Sequence, residues 1–182
     1  MQQLQIVRIG HPSLRTKSSR VYKSELKGEQ FQEFLDQLVR LCDKNSGVGI
    51  AAPQVAVNKR IIVVHVDPKN PRYKNKKHFP STVVINPRVV YKSKIVREDW
   101  EGDLSCNLRA LVPRAIKCRV TGWDRSGNTV TFNLDYDFHA RVFLHEIDHL
   151  DGIFLLDRVK NKQSISELRE WKKYLKDKKS KL

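Results

Sequence analysis

Residues 145–152 read HEIDHLDG, and the architecture of the chain turns on whether this stretch is a metal-binding helix. On a helix, His145 and His149 stand at i and i+4, one above the other on a single face. Two imidazoles so arranged can hold one divalent cation and leave room for a third protein ligand and an open position. Glu146 lies one residue along, outside that stripe but within reach of water at the metal. A general base and proton shuttle must stand there. HExxH also arises by chance on amphipathic helices, so the pattern needs company elsewhere in the chain.

The surroundings of HEIDH are helical. Phe138, Val142, Ile147 and Leu150 recur at helical spacing, with Asp137 placed to cap the start and Asp151-Gly152 to end the helix. Upstream, Ile116, Cys118 and Val120 alternate with polar residues, and the turn DRSGN (124–128) leads into Thr129–Leu134, predicting a hairpin. Residues 60–66 (RIIVVHV) read as a buried strand, and 67–81, rich in Pro, Asn and Lys, as an exposed loop. Shorter strand signals follow at Val83–Asn86, Val89–Tyr91 and Lys94–Arg97. An N-terminal helix is predicted over 29–42, with Phe31, Phe34, Leu35, Leu38, Leu41 and Cys42 on one face and a stop at Asn45-Ser46-Gly47. A last amphipathic helix is predicted over 164–177, on Ile165, Leu168, Trp171 and Leu175. Helices and strands that do not alternate regularly indicate an α+β fold, here a single domain over 1–182 whose antiparallel or mixed sheets surround the HExxH helix.

Composition narrows the class further. The chain has 182 residues, enough for one well-packed core. Thirty-five Lys and Arg against twenty Asp and Glu give a net charge of +15, which suits a polyanionic neighbour or simple solubility. Three cysteines without a CxxC pair argue against a disulfide framework and for a reducing compartment. The N-terminal MQQLQIVRIGHPSLR lacks a secretory pattern, and no apolar run approaches a membrane span, so the expected location is the cytoplasm or an organellar matrix.

Two further stretches complete the picture. GVGIAAPQ (47–54) precedes the buried strand, and WEGDLSC (100–106) follows strand-like sequence as a short polar loop. In order and approximate spacing, GVGIAAPQ, EGDLS and HEIDHLDG resemble the three motifs of peptide deformylases, and the likeness runs from GHPSLR (10–15) through RALVPRA (109–115) to the basic C-terminus. The resemblance implies that His145 and His149 are metal ligands and that Glu146 is the acid/base. Gln54 and the backbone N–H of Leu104 would then be oxyanion donors, with Gly49, Ile50, Arg109 and Val142 along the peptide. Gly47 and Gly49 would let the backbone approach that peptide closely. Arg114 is placed to pair with Glu101 or Asp148.

One letter departs from the pattern. The family has cysteine as third ligand where this chain has Asp103. A carboxylate oxygen lies one bond farther out than a thiol sulfur, and metal–oxygen bonds are shorter than metal–sulfur bonds by roughly 0.1–0.3 Å. Asp103 can therefore still ligate, giving a set of two histidines and one carboxylate that zinc hydrolases and non-haem iron sites both use. Cys106 sits three residues on and out of register, and an ordinary buried or half-buried thiol is expected there. The loop is one residue short between Ser105 and Arg109, and Leu144 stands where the family has glutamine, which would reshape the pocket for the first side chain.

The resemblance thus implies a metallohydrolase that removes the formyl group from N-formyl-methionyl peptides with one divalent ion, Fe2+ or Zn2+ foremost and Ni2+ or Co2+ as alternatives. Two other readings stay open: a deacylase for another N-acylated substrate, and an inactive ribosome- or RNA-binding relative. From Arg158 to Leu182 ten Lys/Arg outnumber three Asp/Glu, so the basic helix or tail (163–182) is a candidate ribosome contact. A monomer is expected.

Overall fold

The apolar face of residues 29–42 becomes α1 (Glu29–Lys44), which buries Leu35, Leu38 and Cys42 and half-buries Phe31, Phe34 and Leu41. It ends where Asn45 caps it and Ser46 turns left-handed at φ 50°. These features belong to a computed structural model that describes residues 3–70, 72–73 and 75–174.

The run IIVVHV is nearly all apolar because its strand is covered on both faces. In β2 (Ile61–Val66), Ile62, Val64 and Val66 point into one core and Ile61 and Val63 into another. The first core contains Phe143, Leu144 and Ile147 of the HExxH helix, α2 (Asp137–Leu150); the second contains Leu35 and Leu38 of α1. An antiparallel sheet is thus sandwiched between the two helices. Its order is β1 (Gly49–Ala51), β2, β3 (Phe79–Lys92), β6 (Cys118–Trp123) and β7 (Thr129–Leu134), with β1 at one edge. The expected hairpin over DRSGN is β6–β7, although β6 starts at Cys118 and leaves Ile116 outside.

Two of the predicted segments are corrected around β3 and β4. The strands expected at Val83–Asn86 and Val89–Tyr91 are one strand interrupted by register shifts, and it reaches back into the expected loop as far as Phe79. WEGDLSC is mostly strand rather than loop. It joins β4 (Val96–Asp103) to β5 (Cys106–Ala115), leaving Leu104 and Ser105 as the turn and pairing Asp103 with Cys106. These strands form a second antiparallel sheet with β8 (Ser166–Glu167). Cys106 is buried with Leu14, Ala110 and Val112 beneath it.

The helix α2 lies between the sheets, and every residue from Phe138 to Leu150 is buried. Its cap also differs from expectation. Tyr136 holds the N-cap position without a side-chain bond, and the Asp137 carboxylate pairs with Arg97 instead. The C-terminal end is as expected, with Asp151 capping and Gly152 at φ 71°. The last helix starts later than predicted. Among the described residues of that stretch the α-helix is α3 (Leu168–Tyr174), because Ser166 and Glu167 pair with β5 as β8; residues 175–182, including Leu175 and much of the basic tail, lie outside the described residues. Among the described residues no helix is long and apolar enough to cross a membrane.

Candidate metal centre and its cleft

The helix α2 presents polar side chains to the second sheet at helical spacing, Arg141, His145 and Asp148, while Phe143, Leu144 and Ile147 face the first. Each polar group on that stripe meets a fixed partner. Glu101, at 6% exposure, accepts from Arg114 Nε at 2.9 Å and Arg141 Nη1 at 2.7 Å on one oxygen. Its other oxygen accepts from Arg114 Nη2 at 3.0 Å and faces His145 Nδ1 at 2.9 Å. Arg114 also pairs with Asp148, which Arg158 holds from outside at 2.7 Å, so the expected choice between Glu101 and Asp148 resolves to both. Burial alone would raise the Glu101 pKa; Arg114 and His145 more than reverse it, leaving the carboxylate ionised.

That ionised carboxylate fixes the imidazole. With Glu101 accepting, His145 keeps a hydrogen on Nδ1 and turns Nε2 inward, where a cation would replace a proton, an orientation typical of metal-ligating histidines. Facing it is Asp103 Oδ2, 3.4 Å from His145 Nε2 and 3.0 Å from His149 Nε2. The three candidate ligand atoms lie within 4.8 Å of one another. Asp103 Oδ2 and both His149 nitrogens are buried without a hydrogen-bond partner. Buried polar atoms are rarely left unsatisfied, and a convergent set of oxygen and imidazole donors is what a divalent cation satisfies. The local field agrees. Burial opposes charge on His145, yet Asp103 and Glu101 pull its pKa well above 6.5, so the site attracts positive charge.

The other oxygen of Asp103 is spoken for. Oδ1 accepts from Ser105 N–H at 2.7 Å and from Gln54 Nε2 at 2.9 Å. Gln54 rides the 3-10 turn Ala52–Val55 directly after β1, where its Oε1 accepts the Ala51 N–H at 2.8 Å; its amide also lies 3.3 Å from Ser105 Oγ. Beside this group stands Glu146, whose Oε2 has no partner and whose pKa burial pushes up to about 7, with the two imidazoles partly offsetting. Gly49 explains how Glu146 fits. A Cβ at position 49 would lie 2.5 Å from Glu146 Oε1, so this glycine makes room for the carboxylate.

A cleft of about 550 Å³, including solvent at its mouth, opens onto these groups and is lined by Gly49, Gln54, Asp103, Leu104, Val142, His145 and Glu146. Tyr73, Trp100 and Phe138 also line it; the sequence marked Phe138 only as part of the helix's apolar face and gave no role to the other two. Ile50 is fully buried in the core beneath α1 and does not line the cleft. Arg109 lies in the adjoining groove, its guanidinium laid over Gly102 and 5.7 Å from the Trp171 ring, donating to Leu108 O at 2.8 Å. Leu144 does not reshape the pocket, because it turns into the core against the first sheet. Cys106 is absent from the ligand cluster, and its thiol is pushed up to about 11 by burial and by Asp103. Arg141 was missed, although its position four residues before His145 puts it on the same stripe.

Comparison with known proteins converges on one family. The polypeptide deformylase family model matches residues 3–164. Peptide deformylase 2 of Nostoc sp. is 42% identical over 166 residues, covering 90% of both chains. The chloroplastic/mitochondrial peptide deformylase 1A of Arabidopsis thaliana is 34% identical over 164 residues, 85% of this chain and 61% of that one. The Met-Ala-Ser-bound crystal structure of a class I type b peptide deformylase from Acinetobacter baumannii superposes with a TM-score of 0.82 at 32% identity, covering 87% of this chain and 99% of the other. Sheets, buried helix and matched length agree: this chain belongs to the peptide deformylase family of hydrolases.

Proposed function

We propose that the chain deformylates N-formyl-methionyl peptides with one divalent cation held by Asp103, His145 and His149. The observation that carries this reading is the convergence of Asp103 Oδ2 and His149 Nε2, both buried and 3.0 Å apart with no other polar partner, on Nε2 of an imidazole fixed by Glu101. The donor set of two imidazoles and one carboxylate fits Zn2+ or Fe2+ first, with Ni2+ and Co2+ also accommodated. When bound, the cation supplies Lewis-acid activation of water and of the formyl carbonyl.

The side chains account for the remaining chemistry. Hydrolysis forms a C–O bond at the formyl carbon and breaks its C–N bond, and the water's proton must reach the leaving amine. Glu146, buried with one free oxygen and a pKa raised to about 7, is suited to take that proton and hand it to the amine nitrogen. Gln54 and the Leu104 N–H, both at the cleft, are the donors for negative charge developing on the formyl oxygen. Val142, the backbone at Gly49 and Ile50, and Arg109 in the adjoining groove would hold the methionyl peptide. Cytoplasm or an organellar matrix is the proposed location, with the protein a monomer and the basic C-terminus a ribosome contact.

The test is formate release from formyl-Met-Ala-Ser together with elemental analysis of wild type and Asp103→Ala, under anaerobic and metal-supplemented conditions. Bound metal and formate release from wild type are expected. Wild type with neither overturns the reading, and Asp103→Ala with full metal occupancy overturns the ligand assignment.

A further inference from the structure

Asp103 brings one more acceptor atom than a thiolate would, and the fold receives it specifically. Oδ1 takes the Ser105 N–H at 2.7 Å and the Gln54 amide at 2.9 Å, while Oδ2 is left bare toward the two imidazoles. Gln54 is itself pinned at its far end, where Oε1 accepts the Ala51 N–H at 2.8 Å, and it is only 2% exposed. Its second amide hydrogen lies toward Ser105 Oγ at a longer 3.3 Å. Resting on the reading that Asp103 is a metal ligand, we infer that Gln54 is a positioning residue for that ligand: it holds the Asp103 carboxylate so that Oδ2 alone is offered to the cation.

Three physical points support the assignment. A carboxylate whose Oδ1 already has two donors cannot swing to bind a cation through both oxygens without breaking charge-assisted bonds, each stronger than a neutral one. A free carboxylate in the same turn would rotate about its Cβ–Cγ bond, and the niche removes that freedom in advance. A sulfur has no second atom to place between Ser105 N–H and Gln54, so the dependence on Gln54 belongs to the carboxylate. Gln54 retains its other hydrogen, the one with the weaker partner, for the formyl oxygen. Positioning and oxyanion donation are thus divided between the two N–H bonds of one amide.

The coupling is read by a double-mutant cycle on metal affinity, which needs no turnover. Competition with a chromophoric chelator gives the Zn2+ and Co2+ affinities of wild type, Gln54→Leu, Asp103→Cys and the double variant, and Asp103→Ala serves as the ligand control. Outer-shell partners of metal ligands typically contribute roughly 10–100-fold to affinity. Gln54→Leu is therefore expected to weaken Zn2+ binding on the order of tenfold or more with Asp103 present, and only slightly in the Asp103→Cys background. The Co2+ absorption bands should shift in the Gln54→Leu protein as the carboxylate reorients. If Gln54→Leu folds poorly, Gln54→Asn withdraws the amide from Oδ1 while keeping it polar, and the same loss is expected. An equal loss in both backgrounds, or none in either, overturns the inference. Undiminished binding by Asp103→Ala would instead overturn the ligand reading on which it rests.

Discussion

Glu101 and Asp103 are two buried carboxylates, two residues apart on β4, and they are treated in opposite ways. Both oxygens of Glu101 are satisfied, by Arg114, Arg141 and His145. Asp103 has one oxygen equally well held and the other buried and bare. Folding alone accounts for the first arrangement, since a paired and fully bonded charge is the tolerable form of a buried one. The second leaves an oxygen that only the imidazoles approach, at 3.0 and 3.4 Å, an arrangement that a cation among the three would complete. Among these buried carboxylates, completeness of hydrogen bonding therefore separates the scaffold from the site more sharply than burial does. Glu146, also buried and with a bare Oε2, sides with Asp103.

The contrast can be broken in four ways. Glu146→Gln should lower kcat/KM for a formyl-methionyl peptide by about 10²–10⁴-fold, while its unfolding midpoint stays near that of wild type. A large loss of folding would move Glu146 to the scaffold side. Arg114→Leu should do the reverse, removing up to about 3–5 kcal/mol of stability in urea titrations by taking away the one cation that Glu101 and Asp148 share, although Arg141 and Arg158 stay on them. Zn2+ should stabilise wild type by about 2.7 kcal/mol at a hundredfold excess over its dissociation constant, read as a rise in Tm, and should leave Asp103→Ala unmoved. Cys106→Ala, at the residue facing Asp103 across the turn, should cost about 1 kcal/mol of stability and leave Zn2+ affinity unaltered. A drop in affinity there would return the thiol to the ligand set.

The sequence revealed the elements whose patterning comes from apolar burial. The face of α1, the two-sided run of β2 and the β6–β7 hairpin all follow from hydrophobic spacing, and His145, His149 and Glu146 from a short pattern. The second sheet was harder to see because its inner face is charged. In β4 the residues VREDWEGD carry no apolar alternation, since Glu101 and Asp103 point at guanidinium and imidazole groups rather than at leucines. In β5 the proline at 113 also argues against a strand. It is accommodated because β8 covers only Leu108 and Arg109, so that β5 is an edge at Pro113. Leu144 shows a different blind spot. Sequence position beside His145 said nothing about which way it turns, and a helix packed on two sheets sends neighbouring residues into different compartments.

The location of the site also carries a consequence for how the protein matures. Asp103 belongs to one sheet, Gln54 to a turn leading off the other, and the histidines to the helix clamped between them. None of these groups is local to another in the chain, so their meeting is among the contacts of long sequence separation that form slowly. On the proposed ligand set, a cation arriving early would find only scattered donors, and the pocket that would bind it needs both sheets packed on α2. Metal capture by this set would in that sense be a readout of completed folding, and the ion would act as a rivet across the seam.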